Sequence, residues 1–356
     1  PLTVTINKAT LTATGATVAS KTYDTTKTAT VSGVTFTGLV NGETLALGTD
    51  YTASGEFDSE NAGTGKSVTV TVTLTSDKAK NYSLAQNTTT ATSDITKASS
   101  SITTAPSATG ITYGQALSDS TLTGGTGSVP GAFAWTDSTA KPNAGTAQFE
   151  VTFTPTDTNY NSTTTNVSVT VAKATPTLTA PTATAIQYGQ KLTDSALTGG
   201  TATNPNGSAA VAGNWSWASG NTRPTATGAF PAAFVPSDTA NYNTPENVDT
   251  SVTVNPAAPK LTLTVPAYQV AGGEVKVTCT VENPYDAAFK EGIPETVTLT
   301  YQIGSGTVET LTGTSFNIPA ETAKNTVITV TASTATVDGK YTAATKTATV
   351  TVTDKI

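Results

Sequence analysis

Asp157-Thr158-Asn159-Tyr160-Asn161, running into Asn166-Val167-Ser168-Val169-Thr170-Val171-Ala172-Lys173-Ala174, is the stretch on which the reading of this chain turns. It returns downstream as Asp238-Thr239-Ala240-Asn241-Tyr242-Asn243, followed by Val252-Thr253-Val254-Asn255-Pro256-Ala257. A looser copy lies upstream, Asp77-Lys78-Ala79-Lys80-Asn81-Tyr82 and then Asp94-Ile95-Thr96-Lys97-Ala98. Each copy reads as a turn, one last strand and a short join. Self-similarity at this period marks an array of like units, each supplying one small core. It divides the 356 residues into a repeat tail at 1–8 and four modules at 9–97, 98–173, 174–255 and 256–356. The opening Pro1-Leu2-Thr3-Val4-Thr5-Ile6-Asn7-Lys8-Ala9 reads as the end of another repeat, so a fragment of a longer protein is expected.

The residues between these landmarks predict strands. Ser67-Val68-Thr69-Val70-Thr71-Val72-Thr73-Leu74-Thr75 alternates apolar and polar at period two, which puts one face on a core and the other in water. Thr and Val are β-branched and suit a pleated, half-buried surface. Asn61-Ala62-Gly63-Thr64 and Asn143-Ala144-Gly145-Thr146 punctuate the strands as turns. The second and third modules run in step. Ile111-Thr112-Tyr113-Gly114-Gln115 matches Ile186-Gln187-Tyr188-Gly189-Gln190, Leu122-Thr123-Gly124-Gly125 matches Leu197-Thr198-Gly199-Gly200, and Phe133-Ala134-Trp135 matches Trp215-Ser216-Trp217. The third module adds an insertion around Thr203–Ser208, placed on the surface because strand register survives it. No helical period occurs, so the fold class is all-β: a tandem array of Ig-like antiparallel β-sandwich modules. The joins are too short for loose tethers, which predicts an extended rod.

Composition excludes several functions. A net charge of −7, a pI near 4.7 and the single arginine Arg223 leave no cationic surface for nucleic acid or an anionic membrane. With no histidine, the chain lacks the usual general base near neutral pH and the commonest metal ligand. The lone Cys279 shares a face with Val275, Val277 and Val281 and reads as a small hydrophobe. No run is long and apolar enough to span a bilayer, and none reads as a signal peptide. The sequence therefore predicts no catalytic residue, no cofactor and no metal, and a monomer.

Tyr23-Asp24, with Asn61-Ala62-Gly63-Thr64 and Asn81-Tyr82, resembles the YDG-type repeat of bacterial adhesins; the third letter, Gly in that family, is Thr25 here. Modules two and three, with Tyr113-Gly114-Gln115, Tyr188-Gly189-Gln190 and their Asn-Tyr-Asn corners, resemble related Ig-like repeats of large Gram-positive surface proteins. Module four is similar to a generic bacterial Ig-like domain. The resemblance implies stalk or adhesive regions of extracellular proteins, secreted or held at the bacterial surface. It specifies fold rather than chemistry.

Individual residues are weighed on that basis. Glu56, Asp58 and Glu60 could pair as a glycosidase would need, but read as solvated loop charge. Asp157 with Asn159, and Asp238 with Asn241, could offer oxygens to calcium, but Asp and Asn also cap turns. Tyr82, Tyr160 and Tyr242 read as structural corners, with buried rings and hydroxyls tied to nearby backbone. Trp135 and Trp217 read as core plugs. Trp215, beside Asn204 and Asn206 of the inserted loop, is the one aromatic proposed to contact a ligand. Lys8, Lys97 and Lys173 sit near module starts, where some Ig-like domains close an isopeptide bond, but lie in joins rather than inside strands. The leading expectation is a non-enzymatic spacer or stalk of a bacterial surface protein. The alternatives are an adhesive module for host glycan or extracellular matrix protein, and an accessory array of a secreted polysaccharide-degrading enzyme.

Overall fold

The structure is a computed structural model, and it describes residues 2–354. Pro1, in the expected repeat tail, and Lys355 and Ile356, in the expected fourth module, lie outside the described residues. Among those described there is no α-helix, and short 3-10 turns join strands. The chain forms two compact units, residues 1–172 and residues 173–356.

In the first unit, the strand expected from Ser67 extends over Gly63–Leu74 and stands in the middle of a five-stranded sheet. That sheet runs Lys21–Thr22, Thr88–Thr96, Gly63–Leu74, Tyr51–Phe57, Thr28–Ala29. Period-two alternation works as expected: Val68, Val70 and Val72 are buried, while Thr69 and Thr73 face water. A three-stranded sheet, Val31–Thr37, Ala9–Val18, Tyr82–Leu84, belongs to the same module. Phe57, Tyr51 and Ile95 fill the core with the valines. At roughly 1.5–3 kcal/mol for each fully buried large apolar side chain, this set supplies the main drive for folding the module.

The next sandwich in the same unit has a four-stranded sheet, Ile111–Thr112, Thr163–Ala172, Gly145–Pro155, Gly131–Trp135, and two short two-stranded antiparallel ladders. Val151, Phe153, Val167, Val169 and Val171 are buried on it. The second unit holds a three-stranded sheet, Gly213–Trp217, Gly228–Pro236, Val248–Val252, and a five-stranded one, Tyr268–Val270, Ala344–Thr353, Val327–Thr334, Val297–Ile303, Val308–Thr310. Ile328, Val330, Val350 and Val352 form the core of the latter.

The ladders are antiparallel apart from short parallel pairs at the edges, which the sequence reading did not include. Ile111 pairs with Val171, Ile186 with Val254, and Tyr268 with Thr351, each in parallel. An early strand reaches these positions by crossing over, so it lies beside the last strand with the same direction.

Candidate functional site

The Tyr-Gly-Gln motif builds a turn. Gln115 N–H donates to Thr112 O at 3.0 Å and Gln190 N–H to Gln187 O at 3.0 Å, with Gly114 and Gly189 at φ of +96° and +92°. Positive φ at the third residue is the type II requirement, which glycine meets without a Cβ penalty. The Gln side chain returns to the same turn, its Oε1 accepting from Thr112 N and from Gln187 N at 2.7 Å. The tryptophans are also equivalent. Trp135 Nε1 donates to Ser120 O and Trp217 Nε1 to Ser195 O, each at 2.9 Å, just past a 3-10 turn. Trp217 is buried in the core, whereas Trp135 is half-buried at the edge of its cluster.

The Asn-Tyr corner is a second recurring device. Ala98 bridges in parallel to Tyr160, Ala174 to Tyr242 and Ala257 to Tyr341, and Ala9 pairs with Tyr82 in the same way. The fourth module thus has a corner at Lys340-Tyr341 that the sequence reading missed, because lysine replaces the usual asparagine. The hydroxyls are tied differently in each corner. Tyr82 accepts from Val40 N at 3.3 Å and donates to Glu43 Oε2 at 2.5 Å, and this Glu43 bond, together with burial, raises its pKa. Tyr242 accepts from Asn204 Nδ2 at 3.2 Å. Tyr82 and Tyr341 are buried, whereas Tyr160 and Tyr242 are half-buried.

Within each unit the corner of one module meets a tyrosine of the module before or after it. In the first, the Tyr23 ring stands edge-on to Tyr160 with centroids 5.6 Å apart, and its hydroxyl donates to Asp157 Oδ2 at 3.2 Å. Asn159 sits between the modules: its Oδ1 accepts from Ala62 N at 2.8 Å, and its Nδ2 donates to Asn61 Oδ1 at 3.1 Å and Asp157 Oδ1 at 2.7 Å. Burial, with the Asp157 carboxylate beside it, pushes the Tyr23 hydroxyl above the usual tyrosine range. Tyr23 and the Asn61-Ala62 turn of one module therefore clasp the Asp157–Tyr160 corner of the next.

The second unit repeats the clasp with an apolar centre. Tyr188 and Tyr341 are both fully buried and meet edge-on at 5.3 Å, inside a cluster that also holds Ile186, Trp217, Val254 and Ala257. Asn283, 2% exposed, donates to Tyr341 Oη at 2.8 Å and to Tyr188 O at 3.3 Å. Arg223 caps the same joint: it donates to Asp286 Oδ2 at 2.6 Å and to Gly189 O, and lies 5.5 Å over the Phe289 ring. Lys340 lies 5.7 Å over Tyr188, and the interaction with that tyrosine leads the causes that raise its pKa.

The remaining residues singled out from sequence fall as follows. Asn204 is buried, 4% exposed, and its Oδ1 accepts from Asn206 N at 2.8 Å while its Nδ2 serves Tyr242, so its side chain is committed inside the module. Asn206 is half-buried. Trp215 is half-buried, 5.2 Å from the Phe234 ring, and its Cε2 lies 3.0 Å from where a Cβ on Gly200 would stand. The Asp-Asn pairs are turn caps. Asp157 Oδ1 accepts from Asn159 N at 2.9 Å, and Asp238 accepts from Asn241 N at 3.2 Å and from Asn241 Nδ2 at 2.8 Å. Glu56 lies on the strand Tyr51–Phe57 rather than in a loop, and Asp58 pairs with Lys66 at 3.0 Å. Lys8, Lys97 and Lys173 are exposed, and Lys173 Nζ donates to Thr239 O at 2.7 Å. Cys279 is half-buried, and burial raises its thiol pKa.

The turn after Tyr23 carries two further predictions. Thr25 has φ +65°, a left-handed conformation that disfavours a β-branched residue and suits glycine. Thr25→Gly is expected to raise the stability of the first unit by about 1 kcal/mol, the relief of strain exceeding the entropy glycine adds to the unfolded chain. A lower melting temperature for the variant would refute this. Asp24 accepts from Lys21 Nζ at 2.7 Å, Thr26 Oγ1 at 2.7 Å and Thr26 N at 3.0 Å, and these donors hold its carboxyl down at about 2. A depressed carboxyl contributes its stability above the ordinary value of 3.8 and loses it as pH falls through the folded value. The turn should therefore be whole at pH 4 and weaken from there down to about pH 2, with the Thr26 amide shift titrating near the lower value.

Comparison with known proteins gives one family match. The model of the YDG domain matches residues 7–92. No curated protein matches the chain. Among solved structures it is similar to the insect immune protein hemolin at 10% identity and TM-score 0.28, over 96% of this chain and 100% of that one. It is similar to Sidekick-1 immunoglobulin domains 1–5 at 10% identity and TM-score 0.25, over 82% and 67% of the two chains. It is similar to mouse cadherin-23 EC22–24 at 13% identity and TM-score 0.25, over 73% and 100%.

Proposed function

We propose that this chain is a non-enzymatic structural region of an extracellular bacterial surface protein, in which joined Ig-like modules space or present other parts of the parent molecule. The observation that carries this reading is the use of the signature tyrosines. Tyr23 and Tyr188 are spent on seating one module against the next, not on presenting chemistry to solvent. Inter-domain motion is the default unless an interface is well packed, and these joints counter it with packed rings, fully buried in the second unit and half-buried in the first, and with hydrogen bonds. The match of the first module to the YDG domain supports a surface-protein setting. The lack of histidine supports the non-enzymatic reading. The residues singled out for an adhesive role are engaged within their own module, Trp215 on Phe234 and Asn204 on Tyr242, while Tyr268 and Tyr285, 68% and 48% exposed, are the rings left in water.

The test is the distance distribution between spin labels at Thr52 and Glu150, one in each module of the first unit, on a Cys279→Ser background. A narrow distribution is expected, broadening roughly twofold in a Tyr23→Ala, Asn159→Ala double variant as the modules gain freedom. Losing Asn159 leaves the Ala62 N–H unpaired, a cost of about 1–3 kcal/mol at the joint. An unchanged width would defeat the joint reading, and saturable binding to a panel of host glycans and matrix proteins would replace it with the adhesive one.

A further inference from the structure

The corner that receives a neighbouring tyrosine in modules two and four is also present in module one, where nothing among the described residues seats on it. Ala9 pairs with Tyr82 as Ala98 does with Tyr160 and Ala257 with Tyr341. Asn81 holds the place of Asn159 and is exposed, whereas Asn159 is 8% exposed beneath Asn61 and Ala62. Beside Asn81 lies an open cavity of about 540 Å³ lined by Ile6, Ala9, Val40 and Lys80. Val40 is 46% exposed at its edge.

Leading into this corner is an unpaired apolar strip. Leu2, Val4 and Ile6 are 96%, 75% and 91% exposed. Aligned on the following Lys-Ala, they fall in register with Val167, Val169 and Val171 ahead of Lys173-Ala174. Those valines are 5%, 0% and 3% exposed on the last strand of module two. Three alternating apolar residues in water at once are costly, and the matching strand shows what covers them: the facing sheet of a sandwich.

We propose that Asn81, Val40 and the strip Leu2-Val4-Ile6, beside the buried Tyr82, form a docking surface for a further Ig-like module. That module takes the strip into its core as a last strand and seats a turn tyrosine against Asn81 as Tyr23 seats against Tyr160. The inference rests on the joint reading above and names the partner of one more joint. A second copy of this chain does not supply that tyrosine through its fourth module. There the equivalent turn, closed by Gly273 N–H to Val270 O at 2.9 Å with Gly272 at φ +78°, carries Ala271 where module three has Tyr188.

The test adds a second copy of residues 98–166 ahead of Leu2 in the full chain, so that Leu2, Val4 and Ile6 replace Val167, Val169 and Val171. Hydrogen exchange of the extended and original chains is then compared. Amides of residues 3–7 are expected to slow by about 100-fold or more, and those of residues 80–82 to slow as well. Tyr113→Ala in the added copy should return residues 80–82 to fast exchange while leaving the strip protected. Unchanged exchange at residues 3–7, with the added module itself protected, overturns the proposal. No response of residues 80–82 to Tyr113→Ala overturns the tyrosine seat. Reversible dimerisation of the original chain, abolished by Ile6→Lys, would assign the strip to a second copy and overturn the proposal too. The Ala62 amide reports the joint already present, so a failed extension is distinguishable from a failed joint reading.

Discussion

Tyr341→Ala should cost about 3–5 kcal/mol, the range for emptying a large aromatic site in a closed core. Tyr341 is fully buried, packs edge-on against Tyr188, and shares one cluster with Trp217, Val252 and Val254 of the third module. Its loss opens a cavity reaching into two sandwiches and leaves Asn283 Nδ2 with a single partner at 3.3 Å. The expected signature in urea unfolding is therefore a lower midpoint for both modules of the second unit together. Tyr341→Phe keeps the ring and removes only the hydroxyl that accepts from Asn283, so about 1–3 kcal/mol is expected from the unsatisfied buried amide. If the alanine variant lowered the fourth module alone, the shared core would be energetically empty and the joint no more than contact.

Gly189→Ala is the second large effect, and Gly272→Ala is its internal control. Both glycines stand at the same turn position, with φ of +92° and +78°, so a Cβ adds about 1–2 kcal/mol of left-handed strain to each. Their surroundings differ. A Cβ on Gly272 would meet Ala320 at an ordinary 3.9 Å, whereas one on Gly189 would stand 2.0 Å from Asn283 Nδ2. Asn283 is 2% exposed and held by Tyr341 and Tyr188, so it cannot swing aside freely. Overpacking of this kind costs about 1–3 kcal/mol more. Thermal unfolding should thus rank Gly189→Ala well below Gly272→Ala. Equal losses would mean that the glycine answers to turn geometry alone and that Asn283 yields at no cost.

Most of the local architecture was legible from sequence because local forces set it. The alternation in Ser67–Thr75 placed Val68, Val70 and Val72 inside, since adjacent strand residues point to opposite faces whatever the fold around them. The equivalence of Trp135 and Trp217 followed from their places in matching modules, but only Trp217 is buried; Trp135 is half-buried. Of the tyrosines read as corners with buried rings, Tyr82 is buried whereas Tyr160 and Tyr242 are half-buried, and their hydroxyl partners include side chains as well as backbone. Tyr82 donates to Glu43, and Asn204 donates to Tyr242.

What tertiary structure alone decided is which of these residues meet across modules. Tyr23 reaches Asp157 over a separation of 134 residues, Ala62 reaches Asn159 over 97, and Asn283 reaches Tyr188 over 95. No periodicity within one module encodes such pairings, because each partner already has a sufficient local reason to be there: a turn, a cap, a corner. Lys340-Tyr341 was hidden for a related reason. Its corner is specified by the bridge from Ala257 and by burial against Tyr188, not by the Asn-Tyr spelling used elsewhere. The sequence by itself determined strands, faces and turns, through the period of the backbone and the conformational limits of single residues. Joining the modules required packing, where surface shape and buried hydrogen-bond partners from distant segments select one another.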